Sequence, residues 1–325
     1  MRIAGNRFLV IGRAGMDLYA DPPGTRLEEA AAFTACLGGS AGNIAAGLAR
    51  QGGAVAMLTR VSDDAVGRFC RNRLAAHGIE TTHVATEGGE ARTSLAIVET
   101  RLHDCQNVLY RNGAADFGLG AEDVAGVDFA RFDAVIVTGT VFAAEPSRSA
   151  GFAALAAARA AGAALVIDLD YRPYSWPSAG EAARVMAAAA AACDIIVGND
   201  VEFDVLAGRP GGGLAEARRL AASGAAIVVH KMGERGAITL ADGAEIRTGI
   251  YPVEALKPTG AGDAFMAGLI AALAGGAAVE TAVLRGSACA AIVVSRVGCA
   301  PAMPGRAELD SFLAGHPGPS APRDN

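Results

Sequence analysis

Short apolar runs alternate with longer helical patterns along most of the chain, and this alternation predicts the fold class. Residues 132–138, 164–168 and 226–230 are apolar and short enough to be buried strands. Residues 148–161 and 214–223, which lie between such runs, have the period of amphipathic helices. This order of elements predicts an α/β fold with a mainly parallel, doubly wound sheet, in which ligands bind at the carboxyl ends of the strands.

Two stretches interrupt the alternation. Residues 20–37 have no steady helical period, and residues 91–111 contain runs in which apolar and polar positions alternate as they do in strands. We therefore expect one domain over residues 7–310, with β segments inserted at about 13–37 and 91–112.

Composition and charge exclude several classes of function. The chain has 325 residues, 52% of them hydrophobic and 19% charged, which is enough for one large domain, although the length alone also allows two. A net charge of −6 without a Lys/Arg run argues against a nucleic-acid or anionic-membrane partner.

No targeting or metal framework is visible either. Arg159, Gly162 and Arg184 interrupt the alanine-rich stretches, so no membrane-spanning helix is predicted, and the first residues do not resemble a signal peptide. The six cysteines lack metal-binding spacing and indicate reduced thiols in a cytoplasmic protein. The polar, proline-rich residues 316–325 are expected to be disordered.

The stretch richest in chemistry is residues 257–265, Lys-Pro-Thr-Gly-Ala-Gly-Asp-Ala-Phe. Gly260 and Gly262 permit a tight turn with amides pointing one way, and a buried helix follows. Unpaired amides and the helix dipole suit a phosphate or a developing oxyanion. Asp263 could then accept a proton from a hydroxyl beside that phosphate, whereas the alternative is an ordinary helix start with glycines that only aid packing.

The phosphate-binding motifs of P-loop proteins and of dinucleotide-binding proteins are both absent from the sequence. The remaining pattern suits phosphoryl transfer to an alcohol, which depends mainly on positioning and on electrostatic stabilisation. An ordinary aspartate, with a pKa of about 3.9, would be an adequate base if the proton leaves late.

Two separated motifs resemble the two signatures of the ribokinase-like (PfkB) carbohydrate kinases: residues 257–265 and, earlier in the chain, Gly38-Gly39-Ser40-Ala41-Gly42-Asn43. The resemblance implies a ribokinase-like fold whose small β-sheet is a lid that closes over a sugar and often pairs with a second subunit. A homodimer through the lid is therefore expected. The resemblance further implies that ATP is the phosphate donor, that Gly260, Ala261 and Gly262 hold its γ-phosphate and that Asp263 takes the hydroxyl proton.

The same resemblance implies roles for other positions. Residues that would contact the sugar are Asp17, Gly38, Gly39 and Asn43. On the nucleotide side, Asn199 and Glu202 would organise Mg²⁺, and Lys231, Gly233 and Gly236 would form a nucleotide-binding loop. The purely structural alternatives are that Asp17 forms a turn and that Glu202 is a solvated carboxylate on a helix.

The substrate class rests on two arginines. Arg111 and Arg172 resemble positions that bind the carboxylate of keto-deoxy sugar acids, and planar guanidinium groups suit a carboxylate. Alternatively, the two arginines cap strand-end carbonyls or pair with Asp168 or Asp170. We expect phosphorylation of the terminal hydroxyl of such an acid. A 2-keto-3-deoxygluconate kinase, a neutral-sugar or nucleoside kinase, a non-catalytic sensor and, least favoured, a NAD-binding dehydrogenase are alternatives.

One position departs from the family pattern. Many members carry an aspartate that helps to bind a monovalent cation six residues before the catalytic aspartate, and this chain has Lys257 there. We hypothesise that the lysine ammonium, or its effect on the loop, replaces that cation. The alternative is a surface lysine in a loop that has lost its cation site.

Overall fold

The computed structural model describes residues 3–321, and within them a nine-stranded sheet forms the framework. Seven neighbouring strands of this sheet are parallel, and two further strands continue it antiparallel at one edge. The spatial order is β13 (Ala244–Thr248), β12 (Ala237–Ala241), β11 (Ile227–Lys231), β10 (Ile195–Asn199), β9 (Ala164–Asp168), β8 (Ala134–Thr138), β1 (Arg7–Ile11), β4 (Ala54–Ser62) and β5 (Val84–Glu87).

Helices cover both faces of this sheet because successive strand residues point to opposite sides. Phe8 and Val10 belong to one apolar core, and Leu9 and Ile11 to the other. One core is closed mainly by α1 (Ser40–Arg50), α2 (Ala65–Ala76) and α8 (Ala261–Ala274), with α9 (Val279–Val294) and α10 (Arg306–Gly315) packed outside α8. The other is closed by α3 (Ala121–Ala125), α4 (Ser147–Ala160), α5 (Ala179–Ala191), α6 (Asp200–Ala207) and α7 (Gly213–Ala222). The predicted doubly wound α/β architecture is confirmed.

A separate four-stranded sheet, called the small sheet below, has the order β3 (Ala32–Gly38), β2 (Gly15–Asp21), β6 (Leu95–Val98), β7 (Asn107–Tyr110). The strand β2 pairs antiparallel with β3 and parallel with β6. Only three residues separate β1 from β2, so Asp17 lies inside a strand of the small sheet, opposite Cys36. The small β-sheet expected from the sequence is confirmed, and the alternative of a turn-forming Asp17 is wrong because Asp17 lies within β2.

The described end of the chain lies against the segment that follows β13. Ser320 donates its amide to the Ile250 carbonyl at 2.7 Å, and the His316 ring packs edge-on against Tyr251. Residues 322–325 of the expected disordered tail lie outside the described residues. Between residues 3 and 321, no helix is both long and apolar enough to cross a membrane.

Candidate active site

Polar side chains gather where the parallel strands of the large sheet end. Asp168 is the last residue of β9, Asn199 ends β10, and Lys231 ends β11. Because the carboxyl ends of parallel strands share one edge of a sheet, these side chains come together, and Asp170 and Glu202 join them. Asp168 is buried, and this burial together with Asp170 raises its pKa.

The first turn of α1 connects this edge to α8. Gly39, with φ of 84°, precedes the helix, and a Cβ there would lie 2.4 Å from the Arg13 carbonyl oxygen. Ser40 Oγ donates to Asp170, and Asn43 Nδ2 donates to Asp263 Oδ2 at 2.8 Å. The two signature motifs, whose residues Asn43 and Asp263 are 220 positions apart, therefore meet at one hydrogen bond.

Asp17 approaches the same region from the small sheet. A Cβ at Gly38 would lie 1.9 Å from Asp17 Oδ1, so the carboxylate occupies space that only glycine leaves open. Asp17 is buried, and this burial raises its pKa to about 6 although Arg13 opposes the shift.

The amino end of α8 is open to an anion. Gly260 has a left-handed conformation with φ of 84°, and no side chain caps the helix. The amides of Ala261, Gly262 and Asp263 belong to the first turn and have no partner within the helix. A Cβ at Gly262 would lie 3.3 Å from Nζ of Lys231, so an ammonium group borders the same turn.

The environment of Asp263 differs from that of an ordinary aspartate. Burial, followed by repulsion from Asp170 and Asp168, raises the pKa of Asp263 to about 7, although Asn43 and Arg172 stabilise the carboxylate. A carboxylate with a pKa near neutrality is well matched to accept a proton at physiological pH.

Glu202 lies below the strand ends and is held by backbone amides. Its carboxylate accepts hydrogen bonds from the amides of Asn199, at 2.7 Å, and Tyr171, at 3.3 Å. In return, Asn199 Oδ1 accepts from the amide of Glu202. The two reciprocal bonds between Asn199 and Glu202 form a capping box at the start of α6. Glu202 is only 5% exposed, and burial followed by Asp168 raises its pKa to about 7. The interpretation of Glu202 as a solvated carboxylate is wrong.

The described residues do not form a metal site from protein ligands alone. Among residues 3–321, no three or more His, Cys, Asp or Glu side chains are arranged to hold an ion. The acidic cluster of Asp168, Asp170, Glu202 and Asp263 nevertheless suits a hydrated divalent cation that brings ligands of its own, because Mg²⁺ keeps several waters and is commonly shared with phosphate oxygens.

The two arginines lie in different surroundings. Arg172 pairs with Asp170 at 2.7 Å, and 41% of its side chain remains exposed beside the acidic cluster. Arg111 forms a bidentate pair with Asp116 at 2.8 and 2.6 Å, and its guanidinium stacks on Phe117. Its side chain is 4% exposed, so the geometry brings Arg172 to the cluster and holds Arg111 at the edge of the small sheet.

The glycines of the predicted nucleotide loop lie in the turn between β11 and β12. Gly236 has φ of 90°, and a Cβ there would lie 1.9 Å from the Thr248 carbonyl oxygen, so close packing against β13 accounts for it. Gly233 also has positive φ but faces open space. Of the three loop positions predicted to contact nucleotide, Lys231 is the one that borders α8.

One contact was missed in the sequence, the hydrogen bond between Ser40 and Asp170. Asp170 also pairs with Arg172, as the alternative for the two arginines allowed. Ser40 stands inside the first signature motif, and Asp170 follows a strand end, so their positions could have indicated them. Asp170 has φ of 35°, which is uncommon for a residue other than glycine and marks a locally strained backbone.

Comparison with known proteins decides the family. The model of the pfkB family carbohydrate kinases matches residues 6–306. The chain belongs to this family. It is thus a phosphotransferase that acts on a sugar hydroxyl.

Individual relatives extend over nearly the whole chain. A curated relative from Photobacterium profundum, named 5-dehydro-2-deoxygluconokinase, is 39% identical and covers 94% of either chain. Among solved structures, a PfkB protein from Polaromonas sp. JS666 is 29% identical with a TM-score of 0.80, over 95% of this chain and 100% of that one. A fructokinase double mutant from Vibrio cholerae O395, with fructose, ADP and potassium ion bound, is 25% identical with a TM-score of 0.83, over 96% and 99%.

Proposed function

We propose that the protein transfers the γ-phosphoryl group of ATP to the terminal (C6) hydroxyl of 5-dehydro-2-deoxy-D-gluconate. The observation that carries the reaction type is the Asn43–Asp263 hydrogen bond at the uncapped start of α8. The name of the Photobacterium profundum relative supports the substrate, as does the string at residues 168–176, Asp-Leu-Asp-Tyr-Arg-Pro-Tyr-Ser-Trp. Inositol catabolism is the corresponding metabolic setting.

In the proposed mechanism Asp263 accepts the proton of the C6 hydroxyl while that oxygen bonds to the γ-phosphorus. The bond from the γ-phosphorus to its bridging oxygen breaks, and ADP leaves. The amides of Ala261, Gly262 and Asp263 stabilise charge on the transferred group, and one such donor typically contributes roughly 10²–10³ in rate. Lys231 adds a positive charge beside the same turn.

The sugar acid would be oriented by charge and by hydroxyl contacts. Arg172 is free enough to bind the carboxylate with the half of its guanidinium that Asp170 leaves open. Asp17, bordered by Gly38, would accept hydrogen bonds from sugar hydroxyls. Arg111 remains a predicted contact of the substrate, although its pair with Asp116 limits the donors it can offer.

ATP and Mg²⁺ are proposed together. ADP in the fructokinase from Vibrio cholerae supports an adenine nucleotide as the donor. When bound, Mg²⁺ would neutralise phosphate charge, and the buried Glu202, with Asn199, would orient its waters at the strand ends.

We also propose a homodimer through the small sheet. Phe33, Val108 and Tyr110 are large side chains exposed on its strands, which is the usual composition of a contact surface. Light scattering should give twice the chain mass, and Val108→Asp should dissociate the dimer. A monomeric wild type would contradict this arrangement. The six free cysteines fit a reducing compartment such as the cytoplasm.

The substrate is tested by ADP release with Mg²⁺ and ATP on five acceptors: 5-dehydro-2-deoxygluconate, 2-keto-3-deoxygluconate, ribose, fructose and adenosine. We expect the highest kcat/KM on the first. Preference for 2-keto-3-deoxygluconate would support the alternative acid, and turnover of a neutral sugar would exclude a carboxylate-binding role for Arg172. No turnover on any acceptor, with Asp263→Asn indistinguishable from wild type in ligand binding, would favour a sensor.

A further inference from the structure

Lys257 carries an ammonium group that is completely enclosed in the protein. The residue has 0% exposure, so the interpretation as a surface lysine is wrong. Its Nζ donates to the Thr259 carbonyl at 2.6 Å and to the Val293 carbonyl at 3.4 Å, and the Cys299 sulfur lies at 3.9 Å. In the described part of the chain, no carboxylate lies within ion-pair distance of it.

Two backbone carbonyl oxygens and a sulfur therefore surround the ammonium group, and such ligands suit a monovalent cation that has lost its water. A buried charge is costly unless polar groups replace its water, and backbone carbonyl oxygens do this for K⁺ in selective binding sites. Ammonium and K⁺ are similar in charge and size, so a carbonyl-lined space suits either. Burial lowers the pKa of Lys257, but Cys299, Asp263 and Asp17 all favour its charged form.

The ammonium joins the turn before α8 to the surrounding elements. Thr259 immediately precedes Gly260, and Val293 lies in the last turn of α9. Gly260 packs so closely on Cys299 that a Cβ would lie 2.7 Å from its sulfur. Moving Lys257 would therefore move the amides that begin α8.

The same contacts continue into the small sheet. The Tyr19 hydroxyl lies 3.0 Å from the Cys299 sulfur and 3.5 Å from Asp17 Oδ2. Tyr19 is 1% exposed, so this path is buried throughout. A single cluster thus connects Asp17 with the turn that begins α8.

We propose that Lys257 is a positioning residue whose ammonium is a built-in monovalent cation for the α8 turn. Kinase activity of the wild type therefore needs no added K⁺. This inference rests on the phosphotransferase function, because the readout is turnover, but it does not depend on which sugar acid is the substrate.

Two variants separate charge from packing. Lys257→Met keeps a side chain of similar length without the charge, whereas Lys257→Ala leaves space for an ion. At fixed ionic strength we expect wild-type kcat to change less than twofold between Na⁺ and K⁺. Both variants should lose about 10²-fold in kcat, as misplacement of reacting groups typically does. Addition of K⁺ or NH₄⁺, but not Li⁺, should restore at least fivefold to Lys257→Ala and nothing to Lys257→Met.

Leu74→Ala is the control, since it opens a cavity in the buried part of α2, away from the turn, and should show no response to cations. Several-fold activation of the wild type by K⁺ would overturn the inference, as would near wild-type kcat in a folded Lys257→Met. If either variant does not fold, the inference is tested by the wild type alone, whose kcat should change less than twofold between Na⁺ and K⁺. A wild type without turnover on any acceptor would instead contradict the proposed function.

Discussion

Asp263 shares its surroundings with two other carboxylates and with one amide donor, and its titration should follow from them. Its pKa of about 7 predicts that kcat/KM rises with pH and levels off above about 7.5, because only the carboxylate can take the proton. Asn43→Ala removes a donor that stabilises the carboxylate and should move the midpoint upward.

The pH profile of kcat/KM measures this directly, since it reports groups of the free enzyme. Asn6→Ala is the matched control, because the exposed Asn6 side chain donates to the Gly52 carbonyl, far from the acidic cluster. A midpoint near 4 in the wild type, or a downward shift in Asn43→Ala, would contradict the assignment of Asp263 as the base.

Arg172 should control affinity for the acid group. Arg172→Lys keeps the charge but loses the planar pair of donors, so KM for the sugar acid should rise about tenfold or more while kcat changes less. Arg218→Lys, in which an exposed arginine paired with Glu245 is replaced, should leave KM unchanged. An Arg172→Lys variant with wild-type KM for the acid would show that Arg172 only holds Asp170.

At this scale, sequence reasoning identifies residues better than it identifies their environments. Asn43 and Asp263 stand in motifs, so their proximity could be expected. The raised pKa of Asp263 could not be expected, because it depends on Asp168 at the end of β9 and on Asp170 just after it. The local sequence around Asp263 does not contain that proximity. The depth of Lys257 also depends on the end of α9 and on Cys299, which only the folded chain brings to it.

Among the elements, the turn that begins α8 has the strictest backbone requirement. Gly260→Ala should lower kcat at least tenfold and reduce the melting temperature, because alanine would combine a strained positive φ with a clash against Cys299. Gly276→Ala is a matched control at the other end of α8, with φ of 80° and open space around its Cβ. It should cost about 1 kcal/mol in stability with kcat unchanged.

The comparison is made by thermal melting and by kcat on the same preparations. Equal loss of kcat in Gly260→Ala and Gly276→Ala would mean that global destabilisation, and not the α8 turn, limits turnover. Loss confined to Gly260→Ala is the expected result.

The bounds of elements with strong periodicity were predictable from the sequence, whereas the pairing of strands within the sheets was less predictable. The strand β9 has the bounds 164–168 expected from its apolar run, and α7 is displaced by one residue from the expected 214–223. The pairing of β2 was not predicted, since only three residues separate it from β1 of the large sheet. Its partners are β3, the next strand along the chain, and β6, which is distant in sequence.

For the molecule as a whole, the acidic cluster should make stability fall as pH rises from about 4 toward about 7. The folded-state pKa of Asp263 is raised to about 7, so its contribution to stability is complete below its unfolded pKa and is lost as pH rises through about 7. Asp263→Asn removes this effect. Its melting temperature should exceed that of the ligand-free wild type by about 2–5 °C at pH 8 and approach it at pH 5.

Differential scanning fluorimetry across pH 5–8 tests this expectation. Asp63→Asn, at an exposed position, should keep a constant difference from wild type over the same range. A gap between Asp263→Asn and wild type that is flat, or that grows toward acid, would show that Asp263 titrates normally in the fold.

The hydrogen bond between Asn43 and Asp263 also has a consequence for biosynthesis. A ribosome that has completed Asn43 must add 220 more residues before its partner exists. At roughly 5–20 residues per second, this takes on the order of ten to forty seconds, longer still before the partner leaves the exit tunnel. During that time a nascent chain has the first motif but no base, so kinase activity must arise late and all at once, and fragments ending before α8 should be inactive however well they fold.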